Sequence, residues 1–272
     1  MKSYNVVKIK EQFPALNRLV WDKPLIYLDS AASMQKPQKV LDAINNNYSF
    51  NYSNVHRGLH KLSEEATSNY EGARLKISKF INCSEKEIVF TSGATAAINL
   101  VAYSWGLKNI SAGDEIIITI AEHHANIVPW QLIAQQKGAK IIAAQVNPEE
   151  DFDAEIIKKL VTDKTKIIAF PHVSNVLGTV FPVEEICKIA KECGAISVVD
   201  GCQGIIHGTV DVKKLITDPD YKGKLLTEFQ QVGDEILDLF IPDFILENWD
   251  GTDGIDAPAI KMSKAWKEFV AK

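Results

Sequence analysis

The sequence predicts an α/β fold with a mainly parallel sheet flanked by helices, because short apolar runs alternate with longer amphipathic segments. The short runs are rich in β-branched residues and lie at 88–90, 115–120, 140–146, 166–170 and 195–199. The predicted helices between them lie at 95–105, 127–136, 154–161 and 183–191. This alternation is typical of βαβ units. Ligands of such sheets bind outside the carboxyl ends of the strands, so the residues that follow each strand form the candidate site.

The segments on either side of this core complete the predicted order of elements. Upstream, apolar and charged spacing predicts helices over 8–16, 40–47 and 64–80, and a short strand over 25–28. Downstream, apolar residues recur at helical spacing over 225–240, and a second short helix is predicted over 258–270. The chain after residue 215 is therefore predicted to be a helical tail rather than another βα unit.

The charge distribution supports the same boundary. The chain has 272 residues and a net charge of −5, which gives no electrostatic basis for binding nucleic acid or an anionic membrane. Residues 1–215 carry 24 basic and 23 acidic residues, whereas residues 216–272 carry 6 basic and 12 acidic ones. We therefore predict a large domain over 1–215 and an acidic helical tail over 216–272.

The cysteine content and the hydropathy indicate a cytoplasmic protein. The four cysteines need no disulfide framework in a chain of this length, so free thiols in a reducing compartment are expected. No run approaches the roughly 18 apolar residues of a membrane span, and the first ten residues lack the apolar core of a secretory signal. We expect no membrane partner.

A turn rich in glycine and hydroxyl groups, Phe90-Thr-Ser-Gly-Ala-Thr-Ala-Ala-Ile-Asn99, leads from a predicted strand into a predicted helix. Free backbone N–H groups at a helix N-terminus, together with Thr and Ser hydroxyls, form an anion site whose usual occupant is a phosphate. The same pattern also occurs as a simple helix cap, so this segment alone leaves both interpretations open.

Two adjacent histidines in Glu122-His-His-Ala-Asn126 follow the strand predicted over 115–120. Adjacent side chains point in different directions, and no third ligand follows at metal spacing, so we predict no metal site. His123 is either a satisfied loop residue or a group that presents its ring or its proton to a planar ligand.

Two further polar residues directly follow predicted strands. Asp200 ends an apolar run and precedes a glycine, so its carboxylate either caps the next turn or meets a cation such as a protonated ring nitrogen. Asn175 offers one acceptor and two donors on a short arm, which suits a substrate carboxylate or a cofactor hydroxyl. Together the four constellations describe a site for a phosphorylated aromatic cofactor with a basic ring nitrogen.

Seven motifs stand in order along the chain: Tyr27-Leu-Asp-Ser-Ala-Ala32, Asn54-Val-His-Arg-Gly-Leu-His60, Leu62-Ser-Glu-Glu-Ala-Thr67, Thr91-Ser-Gly-Ala-Thr95, Glu122-His-His-Ala-Asn126, Val173-Ser-Asn-Val-Leu-Gly-Thr179 and Val199-Asp-Gly-Cys-Gln203. Through these motifs the sequence over about residues 5–215 resembles the cysteine desulfurases, in the branch that includes the selenocysteine lyases. This family belongs to the class V aminotransferases, so the resemblance implies pyridoxal 5′-phosphate (PLP) as cofactor and an incomplete large domain of PLP-transferase fold type I.

The resemblance also implies a role for each matching residue. His123 is the implied catalytic residue, which stacks on the cofactor ring and assists proton transfer, and Asp200 pairs with the ring nitrogen. The other implied contacts are to the cofactor phosphate (Ala94 and Thr95), to the ring hydroxyl (Gln203) and to the substrate carboxylate (Asn175 and the backbone near Ala31).

The family's Ser-x-His-Lys segment, whose lysine forms the Schiff base with PLP, is absent from the sequence. Lys222 and Lys224 stand at about the right distance after Asp200, but their polar, aspartate-rich surroundings would not depress a lysine pKa. The family's persulfide-forming cysteine is also missing.

The resemblance implies a family reaction and a set of partners. The reaction takes L-cysteine or L-selenocysteine as substrate and transfers sulfur to an acceptor protein for iron–sulfur cluster assembly, in a homodimer. The alternatives are a non-catalytic pseudo-enzyme that binds PLP or pairs with a desulfurase, and an inactive fragment whose tail covers exposed apolar surface.

Overall fold

The computed structural model describes residues 5–147 and 151–207, which separate into two compact units. Within the described residues, the first unit contains 5–90, 173–178 and 201–207, and the second contains 91–147, 151–172 and 179–200. The predicted tail over 216–272 lies outside the described residues, and so do Lys222 and Lys224. In the described part of the chain, no helix is both long enough and apolar enough to cross a membrane.

The second unit is built on a parallel sheet of four strands. The strands are β3 (Glu115–Thr119), β4 (Lys140–Ala144), β5 (Thr165–Pro171) and β6 (Ile196–Asp200), in the spatial order β4-β3-β5-β6. Every neighbouring pair is parallel, which confirms the predicted fold class and four of the predicted strands. β3 and β5 are almost wholly buried, as expected for central strands that are covered on both faces.

Helices cover both faces of this sheet. They are α4 (Ala94–Val101), α5 (Leu107–Asn109), α6 (Val128–Lys137), α7 (Glu155–Leu160) and α8 (Val183–Glu192). Because side chains alternate along a strand, Ile116 and Ile118 join one apolar cluster and Ile117 joins the other. The first cluster also contains buried residues of α4 and α6, and the second contains buried residues of α7 and α8. The unit is therefore a three-layer α/β domain.

The first unit contains mostly helices. They are α1 (Val6–Lys10), α2 (Gln38–Asn46), α3 (Lys61–Phe80) and α9 (Gly204–His207), accompanied by a short antiparallel pair, β1 (Leu19–Val20) and β2 (Lys23–Pro24). The predicted helix over 8–16 is wrong in length, because Pro14 cannot continue a helix and instead begins a 3₁₀ turn.

Two predicted strands of the first unit, 25–28 and 88–90, are wrong. Both segments lack strand pairing in the described residues, and Ile26, Leu28 and Val89 are largely exposed. Their apolar, β-branched composition favours a strand, but a strand forms only where a neighbour supplies hydrogen-bond partners. The local pattern therefore identified extended, apolar segments but could not show whether a neighbouring strand pairs with them.

The C-terminal end of α6 provides a test of backbone conformation. Gly138 ends this helix in the left-handed region, with φ 72° and ψ 24°, where a Cβ is unfavourable. Gly138→Ala is expected to lower the free energy of unfolding by about 1 kcal/mol. Chemical denaturation measures this change.

A matched glycine substitution in another helix should change the free energy of unfolding in the opposite direction. Gly72 lies inside α3, and a Cβ added there meets nothing within 4 Å. Gly72→Ala is expected to stabilise the protein by roughly 0.5–1 kcal/mol, because alanine loses less backbone entropy in a helix. Equal effects of the two substitutions would contradict the left-handed conformation at Gly138.

Candidate active site

Two predicted site residues of the second unit, His123 and Asp200, lie at the carboxyl edge of the parallel sheet. Asp200 is the last residue of β6, and His123 follows β3 after a short turn. β3 and β6 are both parallel neighbours of β5, so both side chains start from the same edge of the sheet. The 3₁₀ turn His124–Asn126 also contacts α4, the helix that begins at the predicted phosphate site.

The N-terminus of α4 is suited to an anion. Ala94 and Thr95 are the first two residues of the helix, so their N–H groups have no acceptor within the helix. The preceding turn is held by Thr91, whose hydroxyl donates to the carbonyl of Gly93 at 3.0 Å. A Cβ added at Gly93 would meet nothing within 4 Å, so the space beside the helix end is open. The Thr95 side chain is exposed at this end.

The ring of His123 has a fixed hydrogen-bond pattern. The backbone N–H of Ala125 donates to Nδ1 of His123 at 3.1 Å, which makes Nδ1 an acceptor and assigns the ring proton of the neutral form to Nε2. The side chain is exposed. The ring planes of His123 and His124 are 65° apart with centroids separated by 6.1 Å, so the two imidazoles face different directions.

The three remaining predicted residues, Ala31, Asn175 and Gln203, belong to the first unit. Gln203 Nε2 donates to the carbonyl of Ala31 at 3.1 Å, so two of them are brought together although 172 positions separate them in the chain. Asn175 is exposed in a loop held by the buried Ser174, whose hydroxyl accepts from two backbone N–H groups. The predicted site residues are thus divided between the two units.

The structure also identifies a buried carboxyl group that the sequence analysis left without a role. Glu122 is 7% exposed, and its Oε1 accepts a hydrogen bond from Asn126 Nδ2 at 2.8 Å. Asn126 Oδ1 in turn accepts from Trp130 Nε1 at 2.9 Å. The regular spacing of Glu, Asn and Trp at four-residue intervals was the available sequence signal. It was missed because each residue type alone has an ordinary structural explanation.

The environment of Glu122 keeps its carboxyl group neutral. The pKa of Glu122 is raised to about 8, mainly by burial and also by the charge of Asp200, against the opposing effects of hydrogen bonds with Asn126 and the backbone of His123. Oε2 of Glu122 is buried without a hydrogen-bond partner, as is Oγ1 of Thr119 at the end of β3. A neutral acid is much less costly to leave in this position than a carboxylate.

Within residues 5–147 and 151–207, no group of three or more His, Cys, Asp or Glu side chains is arranged to hold a metal ion. The four cysteines all lie within the described residues and form no disulfide bond; Cys187 is buried and Cys202 is exposed.

These features define an α/β domain with a histidine and a carboxylate at the carboxyl edge of its parallel sheet. A family model, Aminotransferase class-V, matches residues 26–219, more than half of the chain. The chain therefore belongs to the class-V aminotransferase family.

Individual relatives agree with this assignment and narrow it. A probable cysteine desulfurase of Vibrio cholerae is 48% identical over 215 residues, which cover 79% of this chain and 53% of the relative. The chain thus spans about half the length of the curated relatives it matches. The recognised resemblance to cysteine desulfurases is confirmed.

Solved structures confirm the fold. The apo cysteine desulfurase of Thermococcus onnurineus NA1 superposes with a TM-score of 0.72 at 38% identity, covering 79% of this chain and 52% of that one. The cysteine desulfurase CsdA of Escherichia coli, in its S-sulfonic acid form, gives a TM-score of 0.68 at 37% identity, covering 79% and 53%. The described residues therefore share the α/β fold of these enzymes.

Proposed function

We propose that this chain provides the cofactor-binding half of a PLP-dependent cysteine desulfurase. The observation that carries the proposal is that His123 and Asp200 lie at the carboxyl edge of one parallel sheet, in the same unit as α4, which contacts the turn that follows β3. Membership of the class-V aminotransferase family and the cysteine desulfurase relatives support it. When bound, PLP supplies an electron sink that allows a bond at the substrate α-carbon to break.

The residues of the second unit fit the three chemical parts of this cofactor. The open N-terminus of α4, with the N–H groups of Ala94 and Thr95, accommodates the phosphate. The carboxylate of Asp200 at the strand end provides the partner for a protonated ring nitrogen. The exposed ring of His123 supplies a flat surface against which an aromatic ring packs, and its Nε2–H is available to donate a hydrogen bond.

The residues of the first unit are assigned to the substrate side and the ring hydroxyl. Gln203 and Ala31 are already joined by a hydrogen bond, which holds the Gln203 amide in a defined orientation. Asn175 has an exposed amide that suits a substrate carboxylate. We assign the ring hydroxyl to Gln203 and the substrate carboxylate to Asn175 and the backbone near Ala31.

The remaining parts of the proposal concern the whole protein. The substrate is L-cysteine or L-selenocysteine, the product sulfur passes to an acceptor protein for iron–sulfur cluster assembly, and the protein works as a homodimer in the cytoplasm. Residues 1–215 form the cofactor domain and residues 216–272 a separate acidic tail. The sequence contains no Ser-x-His-Lys, and Lys222 and Lys224 are only weak candidates for covalent attachment of PLP.

Cofactor binding provides the direct test. The chain is expected to bind PLP, and Asp200→Asn, which keeps the shape and removes the charge, is expected to weaken binding by about 10- to 100-fold, the effect of one charge-assisted hydrogen bond. Equilibrium dialysis with PLP measures both affinities. Borohydride reduction followed by mass spectrometry detects attachment to Lys222 or Lys224, and alanine release from cysteine reports turnover.

The control is Asp163→Asn, an exposed aspartate of the same unit between α7 and β5. It should leave the PLP affinity unchanged. Absence of PLP binding by the unaltered chain, or equal loss in both variants, would refute the proposed cofactor site. PLP binding without alanine release would leave a cofactor-binding protein without desulfurase activity.

A further inference from the structure

A chain of buried hydrogen bonds begins at Glu122, the residue before the histidine of the candidate site. Glu122, Asn126 and Trp130 are each more than nine-tenths buried, and their side chains are joined in that order by bonds of 2.8 and 2.9 Å. Trp130 is fully buried in an apolar cluster of α4, β3 and β5 residues. The exposed turn that follows β3 is therefore anchored to the core of the second unit through polar side chains.

Hydrogen bonds from Asn126 and Ala125 also hold His123. Asn126 donates twice across the turn, from its side chain to Glu122 Oε1 and from its backbone N–H to the carbonyl of His123 at 2.8 Å. The Ala125 N–H then donates to the His123 ring itself. Because the residue before His123 and its own carbonyl are both held, the backbone that carries the imidazole has little freedom, although the ring is exposed.

The protonation of Glu122 suits this role. Its carboxyl group is neutral around neutral pH because of burial, and the side chain of Asn126, Asp200 on β6 and the backbone of His123 are the other groups that act on its pKa. A neutral carboxyl group accepts the Asn126 bond without adding a second negative charge beside Asp200. The local charge of the site is then left to Asp200.

We propose that Glu122 is a positioning residue that acts through Asn126, anchored by Trp130, to hold the His123 ring at the carboxyl edge of the sheet. This inference rests on the proposed function, because it concerns the histidine assigned to the cofactor ring. The bond from Asn126 requires an acceptor at Glu122, whereas it does not require a negative charge. A glutamine at position 122 should therefore still accept the Asn126 hydrogen bond and hold His123, whereas an apolar side chain should not.

The experiment measures the ¹⁵N chemical shifts of the His123 ring nitrogens by NMR, in the full chain without cofactor. The variant His123→Gln is used to assign the signals. The unaltered protein and Glu122→Gln should both show the Nε2–H tautomer alone. Glu122→Ala should show signals averaged between the two tautomers and should bind PLP about tenfold more weakly, the effect of losing one hydrogen bond. Circular dichroism checks that each variant is folded.

A matched control and a second variant keep the result decisive. Glu185 is exposed on α8 of the same unit, so Glu185→Ala should alter neither the tautomer nor the affinity. If Glu122→Ala does not fold, Glu122→Met keeps the volume and removes the acceptor. A folded Ala or Met variant that retains the single tautomer would overturn the inference, and so would Glu122→Gln behaving like alanine. If the unaltered chain does not bind PLP, the proposed function fails, while the tautomer still decides the role of Glu122.

Discussion

Trp130→Ala is expected to lower the free energy of unfolding by about 3–5 kcal/mol, the usual cost of truncating a large buried aromatic side chain. Trp130 is fully buried, and its Nε1 donates to Asn126 Oδ1. Its removal creates a cavity next to the sheet and also leaves the buried acceptor of Asn126 unpaired. Unfolding by denaturant, followed by fluorescence and circular dichroism, measures the change.

The same helix provides the comparison. Leu132 is 45% exposed on α6, so Leu132→Ala should cost about 1 kcal/mol or less. Trp130→Phe retains most of the apolar volume and removes only the hydrogen bond, so its effect should lie between the other two. A cost of Trp130→Ala no greater than that of Leu132→Ala would show that Trp130 is not part of the core.

The second large effect is the pH dependence contributed by Glu122. Its carboxyl group has a pKa of about 8 in the folded protein against 4.5 as the ordinary value, so between these pH values the folded protein holds a proton that the unfolded chain has released. The stability from this group is complete below about pH 4.5 and is lost as the pH rises through 8, by up to about 5 kcal/mol. Glu122→Gln cannot ionise and lacks this loss.

The measurement is the difference in free energy of unfolding between Glu122→Gln and the unaltered protein, at intervals from pH 4.5 to 9. The difference should grow in favour of the variant up to about pH 8 and then remain constant, because other titrating groups contribute equally to both proteins. Glu185→Gln, at an exposed position on α8, should give a flat difference. A flat profile for Glu122→Gln would show that the group ionises normally in the folded state.

Much of the second unit could be predicted from local sequence. Runs such as Glu115–Thr119 and Thr165–Pro171 are strongly apolar and β-branched because they are buried on both faces, and a parallel sheet is the usual place for such strands. The positions of His123 and Asp200 followed from the same pattern, since each comes at or soon after the end of a strand. Both residues lie at one edge of one sheet.

The segments 25–28 and 88–90 show where local pattern failed. Their residues favour strands, yet the described residues offer them no strand to pair with, and pairing is a property of distant parts of the chain. The role of Glu122 was missed for a similar reason. Its raised pKa depends on burial and on Asp200, which is 78 positions away in the sequence.

The sequence by itself determined the α/β class and the four parallel strands, because strand periodicity is a local property. It also proposed His123 and Asp200 as site residues from their positions after strands, whereas Ala31 and Gln203 were named only through the family resemblance. Only the tertiary structure decided that Gln203 meets Ala31, that the predicted site residues are divided between two units, and that Glu122 is a buried neutral acid. Those features depend on which distant groups are brought together and how far water is excluded from them. Neither quantity is encoded in any short stretch of residues.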